Sequence, residues 1–112
     1  MSDTSTERVC FLLRLEPDRV QDYLAAHEVV WPDMLDALRQ AGWRNYSLFI
    51  RHEDGLVVGY LETDDFASAT AEMAQNAVNE RWQASMAEYF QAADGAHPDE
   101  SMQRLTEYFH LE

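Results

Sequence analysis

Hydrophobic and polar residues alternate along residues 8–15 and place Val9, Phe11, Leu13 and Leu15 on one face. An alternation of period two predicts a β-strand with one buried face. The opposite face carries another apolar side chain, Leu12, so we expect that face to be partly covered as well.

A helical period follows from about residue 20 to residue 40. Apolar and aromatic side chains recur there three or four positions apart, at Val20, Leu24, His27, Trp31, Met34, Leu35 and Leu38. Pro32 lacks a backbone donor and crowds the carbonyl of Glu28, so we expect the helix to kink or restart at that point. Gly42 is a natural end for this helical region.

Two further strands are predicted at residues 43–51 and 56–63. The loop between them, residues 52–55, ends in Asp-Gly, which is typical of a tight hairpin turn. Apolar residues occupy both faces of the second of these strands. We therefore expect it to lie in the centre of a sheet or against a partner.

Helix-cap candidates at residues 63–65, Thr-Asp-Asp, introduce a second helical region. Its two apolar stripes are separated at about residues 76–79, and a last strand is predicted over residues 102–111. The order strand, helix, hairpin, helices, strand is the split βαβ arrangement of an α+β, ferredoxin-like fold. Because helices cover one face of such a sheet, a homodimer covering the other face, as in a dimeric α/β barrel, is the simplest arrangement.

The length of 112 residues predicts a single domain over residues 1–112, with a short polar tail at residues 1–6. The net charge of −13 opposes binding to nucleic acid or to anionic membrane surfaces. No apolar run is long enough to span a bilayer. The one cysteine, Cys10, excludes an intramolecular disulfide, and together these features predict a cytoplasmic protein.

Several kinds of chemistry find no support in the sequence. The four glycines form neither a phosphate-binding loop nor a dinucleotide motif. The four histidines show no paired metal-ligand spacing, so neither a metal nor a cofactor is expected.

The segment from Tyr23 to Pro32 is the best candidate for a site. Tyr23 and His27 are four residues apart, so both project from one helical face, and Trp31 follows one turn later. A phenol, an imidazole and an indole beside a helix break suggest a pocket for a small polar ligand that also has an apolar face. The alternative interpretation is a buried core histidine, with Trp31 in the core or in a dimer interface.

Two other groups of residues are further candidates for the site. Tyr46 shares a strand face with Leu48 and Ile50, so its hydroxyl points either into the pocket or into the core. Residues 81–83, Arg-Trp-Gln, open the last helix, where Trp82 also has a core interpretation. Neither group indicates a function by itself.

Taken together, these residues resemble the L-rhamnose mutarotase family over essentially the whole chain. The shared segments are Tyr23-x-x-x-His27-x-x-x-Trp31-Pro32, Asn45-Tyr46, Arg81-Trp82 and Glu107-Tyr108-Phe109-His110-Leu111. The resemblance implies a dimeric ferredoxin-like domain that interconverts the α and β anomers of L-rhamnose without a cofactor.

The resemblance also implies residue roles. His27 corresponds to the family's catalytic proton donor, and Tyr23 and Tyr46 correspond to sugar-binding tyrosines. Trp82 corresponds to the first of two adjacent sugar-binding tryptophans found in some members, whereas the second is Gln83 here. Glutamine can hydrogen-bond a hydroxyl but offers no comparable stacking face, so the preferred sugar is left open.

Two other functions fit the same topology. A cofactor-free oxygenase of the dimeric α/β-barrel type requires an apolar pocket, and a small-metabolite sensor requires binding without turnover. The polar set Tyr23, His27 and Tyr46 favours a sugar over an apolar aromatic substrate, but fold alone does not decide.

Overall fold

Four antiparallel strands form one sheet in the computed structural model, which describes residues 6–91 and 102–112. The strands are β1 (Glu7–Arg14), β2 (Arg44–Arg51), β3 (Leu56–Thr63) and β4 (Gln103–Leu105), in the spatial order β2-β3-β1-β4. The α-helices of the described residues are α1 (Val20–His27), α2 (Pro32–Gln40), α3 (Phe66–Ala74) and α4 (Ala77–Met86), and short 3-10 helices span Pro17–Arg19 and Ala87–Tyr89. This order and topology confirm the predicted ferredoxin-like α+β fold.

The inner face of the sheet packs against the helices. Its alternate residues Val9, Phe11, Val57 and Leu61 are almost fully buried. Phe11 lies directly over Gly59, where an added Cβ would come within 2.2 Å of the Phe11 ring. The absence of a side chain at Gly59 therefore lets the aromatic ring pack onto the strand.

Both predicted breaks in the helical regions are present. Trp31 has an extended backbone (φ −55°, ψ 133°), as expected for a residue before proline, and α2 restarts at Pro32. In the second region Asn76 caps α4, because its side-chain oxygen accepts hydrogen bonds from the amides of Val78 and Asn79. The break lies at residues 75–76, so Asn79 belongs to α4 and not to the separator.

The prediction of a terminal strand over residues 102–111 was wrong in length. Only Gln103–Leu105 pair with β1, and no described strand pairs with residues 106–112. Phe109 and Leu111 are 73% and 80% exposed, and Leu105 within β4 is itself 44% exposed. Alternation makes a segment suitable for pairing but does not fix how far the pairing extends; beyond Leu105, Glu107 contacts β1 through its side chain, which pairs with Arg8 at 2.9 Å.

Candidate functional site

A cavity of about 270 Å³ lies between the inner face of the sheet and the helices. Its lining includes five of the six residues expected to form the site: Tyr23, His27, Tyr46, Trp82 and Gln83. These residues come from α1, β2 and α4, three elements that are far apart in the sequence. The fold therefore brings the separate sequence segments into one space.

The α1 side of the cavity is built by residues one helical turn apart. The Tyr23 and His27 rings have centroids 4.5 Å apart, and the His27 ring meets Trp82 edge-on at 5.3 Å. His27 is the last residue of α1, because the chain leaves the helix before Pro32. The helix break thus places the imidazole at the edge of the cavity.

The two nitrogens of His27 have different surroundings. Nδ1 is buried and has no hydrogen-bond partner among the described residues, which leaves Nε2 as the nitrogen open to the cavity. Burial lowers the pKa of His27 below its usual 6.5, and the nearby Tyr23 carbonyl offsets this only in part, without hydrogen-bond geometry to Nδ1. The imidazole is therefore neutral at pH 7 and can accept or share a proton through Nε2.

Tyr23 is the more deeply buried of the pair. It packs edge-on against Phe90 with ring centroids 5.3 Å apart, and burial raises the pKa of its hydroxyl to about 12. The phenol consequently keeps its proton at neutral pH. It can donate a hydrogen bond to a ligand but is not a base.

Tyr46 faces the cavity from β2, where alternation puts it on the same side as Leu48, and it lies within a bulge of the strand. Arg44 pairs with Glu62 and Ser47 with Tyr60, so Asn45 and Tyr46 together stand opposite one residue of β3. Asn45 adopts a left-handed backbone (φ 50°), which asparagine tolerates better than most residues. Its side-chain amide donates to Glu62 at 3.2 Å, on the sheet face opposite the cavity.

Trp82 is positioned from both sides. It is buried on α4, and the Trp31 ring meets it edge-on with centroids 5.0 Å apart. Trp31 itself is 37% exposed and is not part of the cavity lining, unlike the other five expected residues. Trp31 therefore contacts the cavity residue Trp82, and the expectation that it also contacts a ligand stays a prediction.

Sequence reasoning missed two polar residues of the lining, Asn79 and Trp43. Asn79 lies four residues before Gln83, a spacing on one helical face that was available as a signal. Trp43 immediately precedes β2, and its buried Nε1 has no partner among the described residues. Nothing in the alternation of β2 distinguishes this tryptophan as a cavity residue.

Within residues 6–91 and 102–112, no three His, Cys, Asp or Glu side chains are close enough together to hold a metal ion. In the same residues, no helix has both the length and the apolar character needed to cross a membrane. The cytoplasmic location and the single domain over residues 1–112 stay predictions.

Comparisons with known proteins address the family directly. The family model described as L-rhamnose mutarotase matches residues 8–111. An L-rhamnose mutarotase from Jannaschia sp. (strain CCS1) is 32% identical, and the match covers 94% of this chain and 98% of that protein. An L-rhamnose mutarotase from Oceanobacillus iheyensis is 28% identical, and that match covers 95% of this chain and 99% of that protein.

A solved structure agrees with the sequence matches. The crystal structure of an L-rhamnose mutarotase from Formosa agariphila superposes with a TM-score of 0.79 at 25% identity, covering 95% of this chain and 99% of that one. The resemblance inferred from the motifs is thereby confirmed: the chain belongs to the L-rhamnose mutarotase family.

Proposed function

We propose that this protein interconverts the α and β anomers of L-rhamnose by general acid–base catalysis with His27. The observation that carries the proposal is the convergence of Tyr23, His27, Tyr46 and Trp82 on one cavity. The relatives named L-rhamnose mutarotase supply the reaction and the sugar. The cavity of about 270 Å³ is close to the lower end of the ~300–1,000 Å³ typical of small-molecule sites, which suits a monosaccharide.

Mutarotation needs only proton transfers and rotation of one carbonyl group. In ring opening the bond between C1 and the ring oxygen breaks, the ring oxygen gains a proton, and the C1 hydroxyl loses one as the carbonyl forms. Closure on the other face of the carbonyl reverses these transfers. A neutral imidazole with Nε2 open to the cavity can take up and return a proton near neutral pH, help that typically contributes ~10²–10⁴-fold.

The neighbouring residues would hold the sugar against His27. Tyr23 keeps its proton and can donate to a sugar oxygen, and Tyr46 faces the same space from the sheet. The Trp82 ring offers a flat apolar surface, which suits the C–H face and the methyl group of a 6-deoxy sugar. Trp31 would contribute indirectly, by supporting Trp82.

Saturation-transfer NMR of anomer exchange tests the proposal. L-rhamnose and a panel of other aldoses are measured with and without the protein, at a concentration well below that of the sugar. Faster exchange of L-rhamnose than of the other sugars is the expected result. Sugar binding with unchanged exchange would contradict catalysis and indicate a binding module instead.

We also propose that the protein is a homodimer in which a second copy covers the outer face of the sheet. That face carries half-buried Cys10, Leu12 and Val58 beside Phe49, which is 62% exposed. At the β4 edge, across the sheet from Phe49, the segment 106–112 keeps apolar side chains in solvent, and Tyr108 is 96% exposed. Burial of these groups against an identical face would remove apolar surface from water.

A further inference from the structure

Asn79 is a buried polar residue in a largely apolar cavity wall. Only 4% of its surface is exposed, and it lines the cavity beside Gln83, one turn later on α4. Burial of a carboxamide costs free energy unless its polar atoms are hydrogen-bonded. The hydrogen bonds of Asn79 therefore show how its buried carboxamide is satisfied.

The hydrogen bonds of Asn79 define the orientation of two carboxamides. Its Nδ2 lies 3.0 Å from the backbone carbonyl of Met73, and its Oδ1 lies 3.1 Å from Nε2 of Gln83. A backbone carbonyl can only accept, so the atom of Asn79 that faces Met73 must be the nitrogen. The Oδ1 atom of Asn79 then faces Gln83, so Gln83 donates to it through Nε2. The Oε1 atom of Gln83 consequently lies on the other side of its carboxamide.

We propose that Asn79 is a positioning residue that holds Gln83 so that Oε1 accepts a hydrogen bond from a hydroxyl of the bound sugar. A carbonyl oxygen has two lone pairs and accepts more than one hydrogen bond, so Oε1 can serve the ligand in addition to other partners. A tryptophan, which some members of the family carry at this position, has a donor but no acceptor in its ring. Gln83 would therefore accept a hydrogen bond from a sugar hydroxyl, whereas a tryptophan at this position offers an aromatic surface.

The inference rests on the proposed function, because it takes the ligand to be the sugar of the mutarotase reaction. A double-mutant cycle on the full chain tests it, with Asn79→Leu, Gln83→Met and the double variant. Both replacements keep a side chain of similar length and remove the hydrogen-bonding groups. The dissociation constant of L-rhamnose and the KM and kcat of anomer exchange are measured for each, and thermal melting reports the fold.

If Asn79 acts through Gln83, each single variant weakens L-rhamnose binding by about five- to tenfold, the effect of one net hydrogen bond. The double variant then binds no more weakly than Gln83→Met alone. KM rises with little change in kcat, whereas a purely structural loss reduces the active fraction and leaves KM unchanged. Glu80→Gln, at an exposed neighbouring position of α4, is the control and should leave binding unchanged.

Two results would overturn the inference: single-variant effects that multiply in the double variant, or a folded Asn79→Leu protein with wild-type affinity. If Asn79→Leu does not fold, Asn79→Ser repeats the cycle, since serine stays polar but is too short to bridge Met73 and Gln83. Failure of the proposed function is visible separately, as wild-type protein that does not accelerate exchange. The coupling between Asn79 and Gln83 can still be measured in that case, because it is obtained from the dissociation constant of L-rhamnose.

Discussion

The two faces of the sheet are built from the same strands but have different surroundings. On the inner face Val9, Phe11 and Leu61 are at most 1% exposed and carry no charge. On the outer face Cys10 and Leu12, their neighbours on β1, are only half-buried. The inner face is closed by helices of the same chain, whereas on the outer face Arg8 pairs with Glu107 of the segment after β4.

Because of this difference, the candidate site and the proposed dimer interface lie on opposite faces of the sheet. The inner face supplies an enclosed space in which burial keeps an imidazole neutral and a phenol protonated. The outer face combines apolar side chains with exposed ion pairs, such as Arg8 with Glu107 at 2.9 Å. Exposed pairs of this kind contribute little to stability, so they orient the terminal segment more than they hold it.

The largest expected effect comes from removing the imidazole on the inner face. His27→Asn should keep the fold and much of the sugar binding, because asparagine retains hydrogen-bonding capacity in a smaller volume. Anomer exchange should fall by about one to four decades, the range for loss of a general acid–base group. NMR exchange and thermal melting on the same preparation measure both quantities.

Two outcomes would give His27 a different role. A stable His27→Asn protein with wild-type exchange rates would remove the residue from the mechanism. A variant that loses about 1–3 kcal/mol of stability while its folded fraction stays active would identify His27 as a core residue.

On the outer face, Phe49→Lys should convert the proposed dimer to monomers, because it places a charge in the surface that the second copy would cover. The dimer dissociation constant should rise at least tenfold, roughly 1.4 kcal/mol or more. Light scattering at micromolar concentration measures the change. Val29→Lys is the matched control, since Val29 is also exposed but lies between α1 and α2, away from the sheet.

A wild-type protein that is monomeric at these concentrations would contradict the dimer outright. Equal weakening by Phe49→Lys and Val29→Lys would instead place the interface elsewhere than on the outer face.

The bulge in β2 lies beside the cavity residue Tyr46, and Asn45 tests how far the cavity depends on it. Asn45→Val should destabilise the protein by about 1–2 kcal/mol and slow exchange, because a β-branched residue resists the positive φ at position 45 and strains the backbone beside Tyr46. Asn45→Gly accepts the same φ and should stay close to wild type despite losing the bond to Glu62. Denaturant unfolding and exchange rates are the measurements, and equal effects of both variants would assign the role of Asn45 to its side chain.

The smallest expected effect is a pH dependence that comes from His27. Burial lowers its folded pKa below 6.5, so the unfolded chain binds more protons than the folded one between those two values. The contribution of His27 to stability is therefore complete above pH 6.5 and falls as the pH drops through that window. Melting temperatures of the wild type and His27→Asn between pH 5 and 8 should diverge accordingly, and parallel curves would contradict the shift.

The sequence by itself was sufficient for the order and type of most elements. Alternation in β1, the helical period before Gln40 and the Asp-Gly turn each report local geometry, which depends on a few neighbouring residues. Pro32 and Asn76 act within one turn of themselves, so both helix breaks were also predictable. Five of the expected site residues line the cavity. They could be named in advance for a different reason, because they belong to motifs that resemble those of the family.

The tertiary structure alone decided what each face meets. Periodicity assigns Trp31 and Trp82 to apolar positions, but only packing places Trp82 in the cavity and Trp31 behind it. The carboxamide orientations of Asn79 and Gln83 depend on a carbonyl at the end of α3, which no local pattern reveals. Alternation continues through residues 106–112, yet only Gln103–Leu105 pair with β1, because strand formation is a property of two segments and not of one.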